Sequence, residues 1–208
     1  MNPIDLAAAG PVIPVIVLDR VDDAVPMAKA LVAGGVRVLE VTLRTPVALQ
    51  CMEAIARAVP EAIVGAGTVR SAADAQAARD AGCRFAVSPG YSASIGEACH
   101  RLGLPLLPGV ATASEVMAAN AGGYYFLKFF PATAAGGVAM LKAFAGPFGD
   151  VSFCPTGGIS LATAPQFLAL PNVKVCGGSW LTPPEAVAAG DWGQITALAR
   201  EASALRPA

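Results

Sequence analysis

Short runs of apolar residues alternate along the chain with longer, alanine-rich segments of helical character. The runs predict strands at Val12–Val17, Val38–Thr42, Ile63–Val64, Phe85–Val87, Leu106–Leu107, Tyr124–Phe129, Ser152–Cys154 and Val173–Cys176. Between them, Val21–Ala33, Pro46–Ala58, Ser71–Ala81, Ser92–Leu102, Ala113–Ala119, Gly137–Phe144 and Leu161–Leu168 read as helices, and a further short helix is expected near the N-terminus. Punctuation supports several of these bounds. Asp22 and Asp23 lead into the first helix and Gly34-Gly35 closes it; Ser71 with Asp74 opens another, which Gly82 follows.

Strands apolar on both faces belong to parallel sheets covered by helices. Eight of them alternating with helices predict a single (β/α)8 barrel domain over residues 1–208. Eight units leave about 26 residues each, against roughly 250 residues for a typical barrel, so there is little room for inserted domains or long lids. An open doubly wound sheet is the alternative, disfavoured because polar signatures recur just after strand after strand. No linker, low-complexity tract or charge block divides the chain.

Composition narrows the class further. Hydrophobic residues make up 55% and charged residues 14%, and the mean hydropathy is +0.58, which excludes a disordered chain. The best apolar run, Pro11–Leu18, falls far short of the roughly 20 residues of a spanning helix. A net charge of −1 leaves no electrostatic footprint for nucleic acid or an anionic membrane. The N-terminus lacks a basic leader, so a cytoplasmic location is expected. Five scattered cysteines without a Cys-x-x-Cys pair read as buried apolar residues in a reducing compartment. A single histidine, His100, rules out a multi-histidine metal centre. It sits at a helix end, away from any strand exit, and reads as a structural or surface residue.

Active sites of such barrels gather at the C-terminal ends of the strands. Of the four lysines, Lys29 and Lys142 fall in helical segments and Lys174 near the start of a strand. Lys128 differs, lying late in a strand between Leu127 and Phe129-Phe130. Apolar surroundings disfavour an ammonium and free the amine to attack a carbonyl. Pairing with a buried carboxylate is the structural alternative. Alternation along Val38–Pro46 puts Glu40, Thr42 and Arg44 on one face, inward in a barrel. A carboxylate there must be paired or functional. An internal Glu40–Arg44 salt bridge and a role in proton transfer and carboxylate binding are both open, and compatible. Three glycine-rich exits follow: Gly65-Ala66-Gly67-Thr68, Thr156-Gly157-Gly158 and Gly177-Gly178-Ser179. The last two follow the seventh and eighth strands, where backbone N–H groups of barrels often hold phosphate.

Taken in order, these residues resemble the 2-keto-3-deoxy-6-phosphogluconate and 4-hydroxy-2-oxoglutarate aldolase family. The matching segments include Leu39–Pro46, Gly65–Val69, Ser88-Pro89-Gly90, Pro108–Thr112, Leu127–Ala132, Pro155–Ile159 and Gly177–Leu181. The resemblance implies a (β/α)8 fold and an aldehyde-lyase that needs no cofactor and no metal. Lys128 would form a Schiff base with the substrate ketone, and Glu40 would be the general acid/base. Arg44 and Thr68 would bind the carboxylate, with Pro89 and Phe130 shaping the pyruvate pocket. Thr156 would contact the hydroxylated part of the substrate, and Gly157, Gly158 and Ser179 the distal phosphate. A homotrimer handling a small keto-acid phosphate, with no nucleic-acid or membrane partner, is implied too. Thr133 departs from the family, which commonly carries Glu there. The expected reaction splits 2-keto-3-deoxy-6-phosphogluconate into pyruvate and glyceraldehyde 3-phosphate, a step of the Entner-Doudoroff pathway. The 4-hydroxy-2-oxoglutarate and galactonate-epimer substrates stay open, though the Thr156 hydroxyl favours the gluconate. A catalytically silent barrel that senses a phosphorylated metabolite is the alternative from another class.

Overall fold

The computed structural model describes residues 3–205. Among these residues nine strands are formed: β1 (Val12–Ile16), β2 (Val38–Thr42), β3 (Ile63–Gly67), β4 (Phe85–Val87), β5 (Leu106–Leu107), β6 (Gly109–Val110), β7 (Phe126–Phe129), β8 (Ser152–Pro155) and β9 (Cys176–Gly178). Nine α-helices of the described residues alternate with or follow them: α1 (Ala24–Ala33), α2 (Ala48–Ala58), α3 (Ala72–Asp80), α4 (Ala93–Leu102), α5 (Ala113–Ala121), α6 (Gly137–Phe144), α7 (Ala164–Leu168), α8 (Pro184–Ala189) and α9 (Trp192–Ser203).

Local chemistry sets the helix starts. The Ser71 hydroxyl accepts from the Asp74 N–H at 3.1 Å and caps α3. At α5, Thr112 accepts from the Glu115 N–H while the Glu115 carboxylate accepts from the Thr112 N–H, a reciprocal capping box. Gly103, left-handed at φ +58°, closes α4.

Every strand pairing is parallel. Six strands form one curled sheet in the order β5-β4-β3-β2-β1-β9, and three form a second in the order β6-β7-β8. The strand expected at Leu106–Leu107 is β5, and past Pro108 the same run continues as a second short strand, β6, that the pattern did not predict. Proline has no N–H to donate, but its carbonyl accepts from the Lys128 N–H at 2.9 Å, so the same run pairs with β4 on one side and β7 on the other. At the opposite edges, isolated parallel bridges join Phe153 to Val173 and Thr156 to Gly177.

Side chains divide into two clusters. One lies between strands and helices; the other, inside the curl, contains Leu6, Ile13, Val38, Phe85, Val87, Leu107, Phe126, Cys154 and Val175. Leu6 comes from the expected N-terminal helix, a 3₁₀ turn over Pro3–Ala9, and is 1% exposed. It plugs the end of the curl at which the strands begin.

Several bounds differ from the sequence pattern. β7 starts at Phe126 rather than Tyr124, whose N–H is spent on the Ala119 carbonyl in the turn that closes α5. β9 begins at Cys176, where the expected strand ends, since Val173 makes only an isolated bridge. α8 and α9 lie beyond the last predicted helix. α9 is fastened to α1 by hydroxyls: Thr196 donates to the Ala30 carbonyl at 3.1 Å and Ser203 to the Gly34 carbonyl at 3.0 Å. Among the described residues, no helix is long and apolar enough to cross a membrane.

Candidate active site

Inward positions at the C-terminal ends of the strands carry the polar side chains. Glu40 on β2 and Lys128 on β7 meet there, 88 residues apart in sequence. The Lys128 Nζ donates to Glu40 Oε1 at 3.0 Å and lies 3.5 Å from Oε2. Both residues are buried, 4% and 3% exposed respectively. Desolvating two charges costs several kcal/mol per ion, and a buried pair seldom repays that in stability. The Nζ also stands 5.4 Å from the centroid of the Phe130 ring, within cation–π range.

Arg44 does not follow Glu40 inward. The strand ends at Thr42, and Arg44, exposed at the exit, donates through Nε to the Thr68 hydroxyl at 3.2 Å. The Glu40–Arg44 bridge entertained from alternation is therefore replaced by Glu40–Lys128 and Arg44–Thr68. Thr68 itself holds φ at +62°. A β-branched residue is strained there, by roughly 1–3 kcal/mol, and the turn aims its hydroxyl at Arg44. Thr42, on the same face as Glu40, donates to the Ile16 carbonyl at 2.9 Å and ties the top of β2 to β1.

Glycines shape the space around the pair. Gly65 and Gly67 lie within β3 and not beyond it, so the first glycine-rich run is strand rather than exit. Gly109 is the register partner of Lys128. A Cβ on Gly109 would stand 2.3 Å from the Pro89 carbonyl oxygen, so the loop after β4 presses onto the strand beside the lysine. Across β7, Lys128 pairs with Cys154 of β8. Burial pushes the Cys154 thiol up to about 12, although Lys128 and a hydrogen bond with Thr156 pull the other way. Cys154 forms part of the floor beside the pair, a placement that its reading as a generic buried thiol did not give.

Thr156 is buried just past β8. Its hydroxyl lies 3.4 Å from the Cys154 carbonyl, and a Cβ on Gly177 would stand 2.1 Å from it. Gly157 and Gly158 follow at φ +102° and +74°, values that suit glycine. The half-buried Phe130 ring packs against Gly157, and Pro89 and Ser179 are exposed at the exits of β4 and β9. Thr133 is drawn to this rim: its N–H donates to the Gly157 carbonyl at 3.1 Å, and its side chain covers Gly158.

The other candidates fall elsewhere. Lys29 and Lys142 are exposed on α1 and α6, and Lys174 donates to the Pro171 carbonyl at 3.1 Å. His100, exposed at the end of α4, stacks on Tyr124 with centroids 5.2 Å apart. Among the described residues, no group of three or more His, Cys, Asp or Glu side chains is arranged to hold a metal ion.

The chain as a whole is similar to known proteins. Residues 4–198 match the family described as KDPG and KHG aldolase. The KHG/KDPG aldolase of Escherichia coli K12 is 54% identical over 197 residues, covering 95% of this chain and 92% of that protein. Among solved structures, the KDPG aldolase of Legionella pneumophila, captured with pyruvate as a covalent carbinolamine, superposes with a TM-score of 0.96. It is 48% identical, with 98% of this chain and 99% of that one covered. The 2-keto-3-deoxy-6-phosphogluconate aldolase of Zymomonas mobilis, solved with 3-phosphoglycerate, gives 0.94 at 47% identity, with 100% and 98% covered. With a family match across nearly the whole chain and relatives at about half identity, the chain belongs to the KDPG and KHG aldolase family.

Proposed function

We propose that this chain cleaves 2-keto-3-deoxy-6-phosphogluconate to pyruvate and glyceraldehyde 3-phosphate through an imine on Lys128. The observation that carries the reading is the buried Lys128–Glu40 pair at 3.0 Å. It places an amine and a proton acceptor side by side at the open end of the strands. Glu40 takes one proton from the Lys128 ammonium, and the freed amine attacks C2 of the substrate. A second proton passes from nitrogen to the former carbonyl oxygen to give the carbinolamine, and the proton held by Glu40 is then delivered to that hydroxyl, which leaves as water. The protonated imine is an electron sink. Glu40 then draws the proton from the C4 hydroxyl, the C3–C4 bond breaks, the aldehyde departs, and its electron pair remains as an enamine. Protonation at C3 and addition of water release pyruvate and restore the amine.

Arg44 and the Thr68 hydroxyl hold the substrate carboxylate, a geometry favoured by the existing Arg44–Thr68 contact. Pro89 and Phe130 bound the pyruvate end. Thr156 meets the hydroxylated carbons, and the backbone at Gly157 and Gly158 with Ser179 receives the phosphate. The sheets are read as one closed eight-stranded ring in which β5 and β6 count as a single strand, supported by the bridges at Phe153–Val173 and Thr156–Gly177. A homotrimer is part of the proposal, supported by the apolar side chains Val17, Met117 and Tyr125, which are 43%, 64% and 49% exposed. A monomer mass in sedimentation equilibrium would overturn that part.

The activity is tested by giving the purified protein the phosphogluconate-derived keto acid, its galactonate epimer and 4-hydroxy-2-oxoglutarate, with pyruvate release as the readout. The highest kcat/KM is expected for the gluconate compound. Preference for the epimer would reverse the reading of Thr156, and no pyruvate from any of the three would sink the aldolase assignment.

A further inference from the structure

We propose that Gly67 is a positioning residue for Glu40: its missing side chain is the slot in which the carboxylate lies. The inference rests on the reading of Glu40 as the group that moves protons. No turn calls for glycine at this position, since Gly67 is the last residue of β3 and lies outside the left-handed region. Space calls for it instead. A Cβ on Gly67 would stand 2.4 Å from Glu40 Oε1, 2.7 Å from Cγ and 2.9 Å from Cδ, nearer than non-bonded heavy atoms approach.

The other glycines on this face are filled by different neighbours. The Phe85 ring occupies the place of a Cβ on Gly65, the Pro89 carbonyl that on Gly109, and the Thr156 hydroxyl that on Gly177. Only Gly67 receives the acid. The oxygen resting on it, Oε1, is also the one that accepts from Lys128 at 3.0 Å. One side of the carboxylate is set by an ammonium and the other by a bare Cα, so its orientation has little slack. A methyl group in the slot forces the acid to another rotamer, away from the lysine. Misplacing a catalytic group by about 1 Å costs on the order of 10²-fold in rate.

Two measurements on the full chain test this. In Gly67→Ala, kcat should fall about 100-fold, a far larger factor than any rise in KM passed on through the neighbouring Thr68, because Arg44 and the phosphate cup lie off the slot. The pH profile of kcat should move as well, which a merely looser fold would not cause. Thermal stability is then compared for Gly67→Ala in the parent chain and in Glu40→Ala, where the slot is vacant. The methyl should lower Tm in the parent and have little effect in Glu40→Ala, even if the single variant folds poorly. A folded Gly67→Ala with parental kcat, or an equal loss of Tm in both backgrounds, overturns the inference. Failure of the underlying reading looks different: Glu40→Gln would then keep parental kcat.

Discussion

The two ends of the strand bundle are built from the same secondary structure and do opposite things. At the end where strands begin, Leu6, Ile13, Phe85, Phe126 and Val175 interlock, and the N-terminal turn plugs the opening. Where the strands finish, the same inward positions carry Glu40, Lys128 and Thr156, and glycines make room for them. Room alone does not mark the chemical end. A cavity of about 720 Å3 near the plugged end is lined by Tyr124, Tyr125, Asp150 and Ser152 among others, yet the buried ion pair lies elsewhere. Space marks a place for a ligand; paired, desolvated, oppositely charged groups mark a place for reaction.

Substitutions at each end should separate stability from catalysis. The largest effect is expected for Lys128→Ala, which should abolish measurable cleavage, a loss of at least ~10³-fold in kcat. Glu40→Gln should slow kcat by roughly 10²- to 10⁴-fold, the usual worth of a general acid/base, while imine formation remains detectable by reductive trapping. At the opposite end, Phe85→Ala should destabilise the fold by about 3–5 kcal/mol in denaturant unfolding, with KM for the substrate little changed. If Phe85→Ala left stability intact, the lower end would not be the packed floor described here. Arg44→Ala should raise KM about 10- to 100-fold, the worth of one charge-assisted contact, and should affect kcat less.

The smallest effect is alkaline. Burial pushes the Cys83 and Cys154 thiols up to about 12 and that of Cys99 up to about 11, from an ordinary value of 9.0. In the unfolded chain these thiols ionise first, so the folded state holds more protons between those values. The stability they contribute is intact below about pH 9 and is lost as pH rises through the folded values. Thermal melts should be flat from about pH 7 to 8 and fall steadily above about 9. A Tm that rises over that alkaline range would contradict the burial of these thiols.

Parallel α/β order and the singularity of Lys128 were legible because both are local: apolar runs bounded by helices, and one lysine late in an apolar strand. The partner of Glu40 was not. Alternation places Glu40 and Arg44 on one face only while the chain stays extended, and β2 ends between them at Thr42. Long-range proximity chose Lys128, 88 residues away. In the sequence Gly65–Thr68 reads as a strand exit, since sequence alone does not separate a glycine needed for φ from one needed for space. α8 and α9 were missed beyond the last strand, and α9 is held to α1 by hydroxyl contacts that only the fold brings together.

That the Lys128 amine, held by Glu40, carries the substrate as an imine is checked by treating the protein with pyruvate and borohydride and mapping the adduct by peptide mass analysis. A reduced, pyruvate-derived mass is expected on the peptide containing Lys128, and none when Lys128→Ala is treated alike. An unmodified Lys128 peptide, or an adduct that persists in Lys128→Ala, would contradict it.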